Sequence, residues 1–141
     1  MRAIFALLGG MMIYGGAAVS LHAQTTTPAS SGVYTAKQAA RGLALYESKC
    51  AECHGPDLSG GGTSPALIGP DFTSSWSGKP VAALFHAIRT SMPSDHPGTL
   101  TAQQTADLIA FFLKVNGYPP GKTELLPDED LLKSILINSA P

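Results

Sequence analysis

Charge is scarce in this sequence. Charged residues make up 13% of its 141 positions, about half the usual ~25%. Neither sign dominates: 9 Lys plus Arg stand against 10 Asp plus Glu, for a formal net charge of −1. A nucleic-acid binder needs a basic face to offset phosphate charge, and there is no such excess. Cysteine is rarer still. Two residues exclude a multi-bridge disulfide scaffold. No convincing run alternates apolar and polar residues, so no strand is expected. A collagen-like glycine repeat is also absent. A disordered chain is short of apolar residues, whereas 44% are hydrophobic here. With 15 Gly and 11 Pro added, the composition predicts one compact, loop-rich domain.

The N-terminus has its own pattern. Met1-Arg2 is followed by an uncharged apolar stretch from Ala3 to Val19, then by small and polar residues to Ala23. That order is expected of a secretory signal peptide, residues 1–23, cleaved after Ala23 or, as second choice, Ser20. The alternative is an uncleaved membrane anchor, for which the stretch is a little short of the ~20 residues of a span. The segment therefore predicts export, with a membrane-anchored form as the alternative. Removal of the signal would take Met1, Met11 and Met12 and leave Met92 as the sole methionine.

Residues 24–33 are rich in Thr, Ser, Pro and Gly and are expected to form a flexible leader. Thr35-Ala36-Lys37-Gln38 fits a capping box, which predicts a helix starting at Thr35. Leu43, Tyr46 and Cys50 would lie on one face of it, and Pro56 would stop it. Gly55 to Gly69 is expected to be a loop. Pro80 introduces a second helix, with Val81, Leu84, Phe85 and Ile88 on its buried face. Thr101 to Gln104 is another capping box. It opens a third helix with a stripe of Thr105, Leu108, Ile109, Phe112 and Val115, ended by Asn116-Gly117. The body is thus 34–118, all-α, with three main helices and long loops. So small a body buries little surface alone and calls for a staple or a buried cofactor. Residues 119–141 form a Pro-rich, acidic and then apolar extension, read either as a helix lying on the body or as a docking segment for a partner.

Cys50-Ala51-Glu52-Cys53-His54 carries the chemistry. C-x-x-C-H is the attachment pattern of c-type haem. Two thiols add to the two vinyl groups on one edge of the haem. The two intervening residues match the separation of those vinyls. The next residue then lies under the iron, where its imidazole becomes the proximal ligand. A thioredoxin-type pair would need a strand before it and a βαβ surround. A zinc site would need four ligands, and only His86 and His96 could supplement the cluster.

Met92 stands in a polar loop, Thr90-Ser91-Met92-Pro93-Ser94, rather than in the apolar run a core filler needs. Its soft thioether suits haem iron, so Met92 is expected to be the second metal ligand beside His54. His96, in the same loop, is the chief rival. His86 points off the apolar face of its helix and is expected to be a solvated surface residue.

With these residues in place, the sequence from Tyr34 to Tyr118 resembles a class I c-type cytochrome of the small bacterial monohaem kind. Gly42-x-x-x-Tyr46-x-x-x-Cys50 is similar to the family's N-terminal helix, where glycine lets the C-terminal helix cross closely and an aromatic packs at the crossing. Phe111 or Phe112 would be the partner aromatic. Pro65-Ala66-Leu67-Ile68-Gly69 resembles the family's Pro-x-Leu-x-Gly loop. The resemblance implies that the Pro65 carbonyl accepts the Nδ1 proton of His54 and that Leu67 packs on the haem face. Trp76 would line the propionate edge or serve as a plain core tryptophan. The family's mitochondrial members carry a ring of lysines for their partners, whereas Lys49, Lys79, Arg89 and Lys114 are scattered here.

The implied fold is the cytochrome c fold wrapped around one haem c, covalently held by Cys50 and Cys53. The implied function is electron carriage between a donor and an acceptor redox protein, with no catalytic residue of its own. The loop from Met92 to Thr101 and the helix after it look similar to monohaem cytochromes that accept electrons from periplasmic quinoprotein dehydrogenases. A dehydrogenase and a terminal oxidase are therefore the expected partners, with the chain as an acceptor or a haem-binding subunit of the former. A haem sensor or peroxidase would follow instead if Met92 left the sixth position open. The membrane enters only if the N-terminal segment stays attached.

Overall fold

The computed structural model describes residues 25–138, so the expected signal segment lies outside the described residues. Helices follow in the order α1 (Ala36–Lys49), α2 (Ala51–His54), α3 (Gly69–Trp76), α4 (Val81–Ser91), α5 (Ala102–Val115) and α6 (Glu129–Ser134). The three expected helices are α1, α4 and α5. Among the described residues, strand is confined to a two-residue parallel pair, β1 (Thr27–Pro28) with β2 (Ile135–Leu136), and two isolated bridges. The architecture is all-α.

The crossing of α1 and α5 centres the molecule. Thr35 caps α1 by accepting the Gln38 amide at 3.1 Å. The expected reciprocal bond is not made, because the Gln38 side chain is buried and spent elsewhere. It donates to the Leu125 carbonyl at 2.8 Å and accepts the Leu125 amide at 2.7 Å. The buried face of α1 is Gln38, Ala39, Gly42 and Tyr46. Leu43, expected on that face, is 40% exposed. The face is centred on a glycine, which contributes nothing to a hydrophobic pattern and so shifts the apparent stripe. A Cβ at Gly42 would stand 1.9 Å from the Asp107 carbonyl oxygen, so only glycine permits this approach. Tyr46 packs against both Phe111 and Phe112, at ring-centroid distances of 5.4 and 6.1 Å, rather than against one of them.

Helix α5 has both arms of its capping box, at 3.1 and 2.8 Å between Thr101 and Gln104. It is buried at every position from Thr105 to Leu113, so its apolar stripe is only the part of the burial that periodicity exposes. Helix α3 was hidden in the sequence by its start at Gly69-Pro70, where the breaker residues sit at a helix N-terminus.

Of the two flanking segments, the leader departs from expectation and the tail follows one of its two readings. The 24–33 leader is docked from residue 27 onward: Ala29 is fully buried, and β1 pairs with β2. The extension folds back on the body, with Leu125, Leu132, Ile135 and Ile137 in the core. Of the two readings of the tail, the helix on the body is the one the structure adopts, α6 packing on α4. Beyond α6 the backbone pairs with the α3–α4 link, through Gly78 N–H to the Ile137 carbonyl at 2.7 Å and Ile137 N–H to the Lys79 carbonyl at 2.9 Å. Gly32 and Gly121 lie backbone to backbone, 1.8 Å being all that a Cβ on Gly121 would have to the Gly32 oxygen. Arg41 joins α1, α5 and the tail, with paired 2.9 Å bonds to Asp107 and to Glu124.

Candidate functional site

Helix α1 ends at Lys49, and Cys50 breaks the helical path at φ −127° before the single turn of α2. That turn sets Cys50, Cys53 and His54 on the wall of a cavity of about 510 Å³. This volume lies within the ~300–1,000 Å³ usual for a small-molecule or cofactor pocket. Helix α4 contributes Leu84, Ala87 and Ile88, and α5 contributes Leu108 and Phe112. Met92, half-buried at the end of α4, completes that wall. Pro65, Leu67 and Trp76 line it from the loop and α3. All six residues expected at the site (Cys50, Cys53, His54, Pro65, Leu67 and Met92) therefore meet in one cavity.

The His54 ring is buried, and its Nδ1 lies 2.9 Å from the Pro65 carbonyl oxygen. A carbonyl can only accept, so the proton sits on Nδ1 and the Nε2 lone pair is free for a metal. The loop that supplies Pro65 is tied at its base by Gly60 N–H to the His54 carbonyl (2.8 Å) and Leu67 N–H to the Leu58 carbonyl (2.8 Å). Leu58 is held in the left-handed region at φ 63°, although buried and branched.

The rival readings find no support in the geometry. His96 does not line the cavity; it is exposed and bonded to Asp95 at 2.8 Å. His86 is exposed, as expected. Burial, followed by the neighbouring Cys53, pushes the Cys50 thiol up to about 11, although Lys49 opposes the rise. A disulfide-exchange site needs the opposite, a thiol pKa lowered toward or below neutrality. Among the described residues no cluster of three or more His, Cys, Asp or Glu side chains forms a metal cage. Trp76 is half-buried on the cavity wall, with the Lys79 Nζ 5.3 Å from its ring centroid.

Sequence reasoning missed Asn116, which it read only as a helix stop. Its side chain donates to the Leu67 carbonyl at 3.0 Å and the Phe112 carbonyl at 2.8 Å, and accepts the Gly69 amide at 2.9 Å. A polar side chain at the end of an apolar helix was the available signal. Nothing in the sequence named the loop it would hold.

Two thiols and an imidazole on the wall of a mostly apolar cavity, with a thioether also on the lining, fit a haem group, and fold and site together define a c-type cytochrome. Residues 37–112 match the family model described as cytochrome c oxidase, cbb3-type, subunit III, and the chain belongs to that family. No curated protein matches the sequence. Among solved structures, the crystal structure of the sulfane dehydrogenase SoxCD from Paracoccus pantotrophus is similar in fold, with a TM-score of 0.53 and 24% identity. The match covers 92% of this chain and 67% of that one. The protein is a small cytochrome of the cytochrome c fold that carries covalently bound haem c and transfers electrons.

Proposed function

We propose that this cytochrome is exported to the periplasm and passes single electrons from a dehydrogenase to an oxidase through one His54/Met92-ligated haem. The observation that carries the reading is the convergence of the C-x-x-C-H turn and Met92 on one cavity. Haem c, when bound, supplies a ferrous/ferric couple, whose potential Met/His ligation raises.

The chain's own residues do the rest. Cys50 and Cys53 tether the group through thioethers. His54 presents Nε2 because Pro65 holds the proton at Nδ1. Met92 would hold the group with its thioether, as the second protein ligand beside His54. Leu67, Leu84, Ile88 and Phe112 exclude water from the pocket. No group of the chain needs to give or take a proton, so the protein acts as a carrier rather than as an enzyme by itself.

Three features support the place in the cell and the donor. Residues 1–23 have the order of an export signal. The Met92–Thr101 loop resembles those of cytochromes reduced by quinoprotein dehydrogenases. The fold is shared with the sulfane dehydrogenase SoxCD, in keeping with a cytochrome that works with a dehydrogenase.

Intact mass of the protein matured in its host tests the core of the proposal. The expected mass is that of residues 24–141 plus one haem. A bare polypeptide mass overturns the reading. Retention of residues 1–23 overturns the cleavage and favours the anchored form. Stopped-flow reduction by candidate periplasmic dehydrogenases then tests the donor, and failure of all of them at physiological ionic strength removes that assignment.

A further inference from the structure

The wall of the cavity is held from behind by one side chain that makes three hydrogen bonds. Both amide protons of Asn116 are engaged, by the carbonyls of Leu67 and Phe112, and its oxygen accepts the Gly69 N–H. Leu67 and Phe112 line the cavity, and Leu67 is two residues from Pro65, the acceptor of the His54 proton. The loop and the end of α5 are thus joined through a single residue, across a sequence separation of 49 for Asn116 and Leu67.

We propose that Asn116 is a positioning residue for haem redox tuning, fixing the Pro65–Leu67 segment on α5 so that the Pro65 carbonyl stays in register with His54 Nδ1. The inference rests on the function proposed above. A firm Nδ1–H···O bond gives the imidazole anionic character and makes it a better donor to the ferric iron. Loosening the segment weakens that bond, favours the ferrous state and raises the reduction potential. The bond from Asn116 to Leu67, at 3.0 Å, and the one from Gly69 just beyond the segment, at 2.9 Å, are of ordinary strength, so losing them frees the loop without unfolding the domain.

The test uses holoprotein matured in the periplasm: wild type, Asn116→Ala, Asn116→Asp and a control, Glu124→Gln. The control loosens the tail at Arg41 and leaves every Asn116 contact in place. Asn116→Asp keeps the volume and the acceptor for Gly69 but turns a carboxylate toward two carbonyls, which serves if the alanine variant fails to accumulate. Two quantities are read: the reduction potential, and solvent exchange of the His54 Nδ1 proton by NMR of the ferric protein. Both Asn116 variants are expected to speed exchange about tenfold, the equivalent of one ordinary hydrogen bond, and the uncharged Asn116→Ala to raise the potential. Glu124→Gln is expected to move neither. Unchanged potential and exchange in the Asn116 variants overturn the inference, as does an equal shift in Glu124→Gln. If wild type itself carries no haem, the function fails and this inference with it. If wild type is normal and only the variants fail to respond, the function stands alone.

Discussion

At the scale of residues, the site divides into groups that hold the haem and groups that let the chain close around it. Met92, on the cavity lining, is proposed for the first. Met92→Ala is expected to open the sixth position: the visible spectrum changes and cyanide binds the ferric form rapidly, as followed by absorbance. A variant with the wild-type spectrum would remove Met92 as a ligand. Gly42 belongs to the second. Gly42→Ala places a methyl 1.9 Å from the Asp107 carbonyl and 2.8 Å from the Phe111 Cβ, so the helices must part. The expected loss is at least about 2 kcal/mol, measured as a lower denaturant midpoint. The haem residues were legible because their chemistry fixes their spacing: C-x-x-C-H needs no tertiary knowledge. Gly42 was legible only through the resemblance, and Leu43 was misplaced because a face centred on glycine has no apolar signature. Asn116 and Gln38 were illegible in their roles, since an amide's partners lie at separations of 49 and 87 residues.

Elements were legible in proportion to the strength of their caps. Thr35 and Thr101 mark α1 and α5 to the residue, and α4 follows from its four apolar positions. Helix α3 was missed because its first residues are loop formers. The docking of the leader was missed, and that of the tail was left open beside a partner-docking reading, for a different reason. Short polar and apolar stretches acquire structure only against a surface, and the surface is made by the body. The extension is consequently a brace for α4, the helix that presents Met92. Gln38→Ala leaves the buried amide and carbonyl of Leu125 without partners, and Leu132→Ala empties a core position. Each is expected to cost roughly 2 kcal/mol or more by chemical denaturation. The absorption spectrum should stay as in wild type, because neither residue lines the cavity. A changed spectrum would show that the brace reaches the iron.

At the scale of the whole molecule, a charge cluster with one buried member, Asp107, couples its parts to pH. Arg41 meets Asp107 on α5 and Glu124 on the tail. Burial tends to raise the Asp107 carboxyl, but hydrogen bonds from Arg41 and Gln103 outweigh it and hold the group below the usual carboxylate range. Glu124 is held low chiefly by its bond to Arg41. Carboxylates depressed in the folded state stabilise it above their unfolded pKa values, near ~4, and that contribution is lost as pH falls through the folded values. Thermal unfolding of the holoprotein is therefore expected at constant temperature above pH ~5 and at falling temperature below ~4. Asp107→Asn should flatten that acid limb; an unaltered limb would place the acid sensitivity elsewhere.

The pairing of Thr27 with Ile135 brings the two ends of the described chain side by side. A linker of a few residues could bridge them, and the backbone could be cut instead in the exposed Gly61-Gly62 turn. The cytochrome is in that sense a closed ring of chain. It can be spliced into a larger polypeptide through a single narrow neck, with the cavity that takes up the haem built entirely from residues inside the ring.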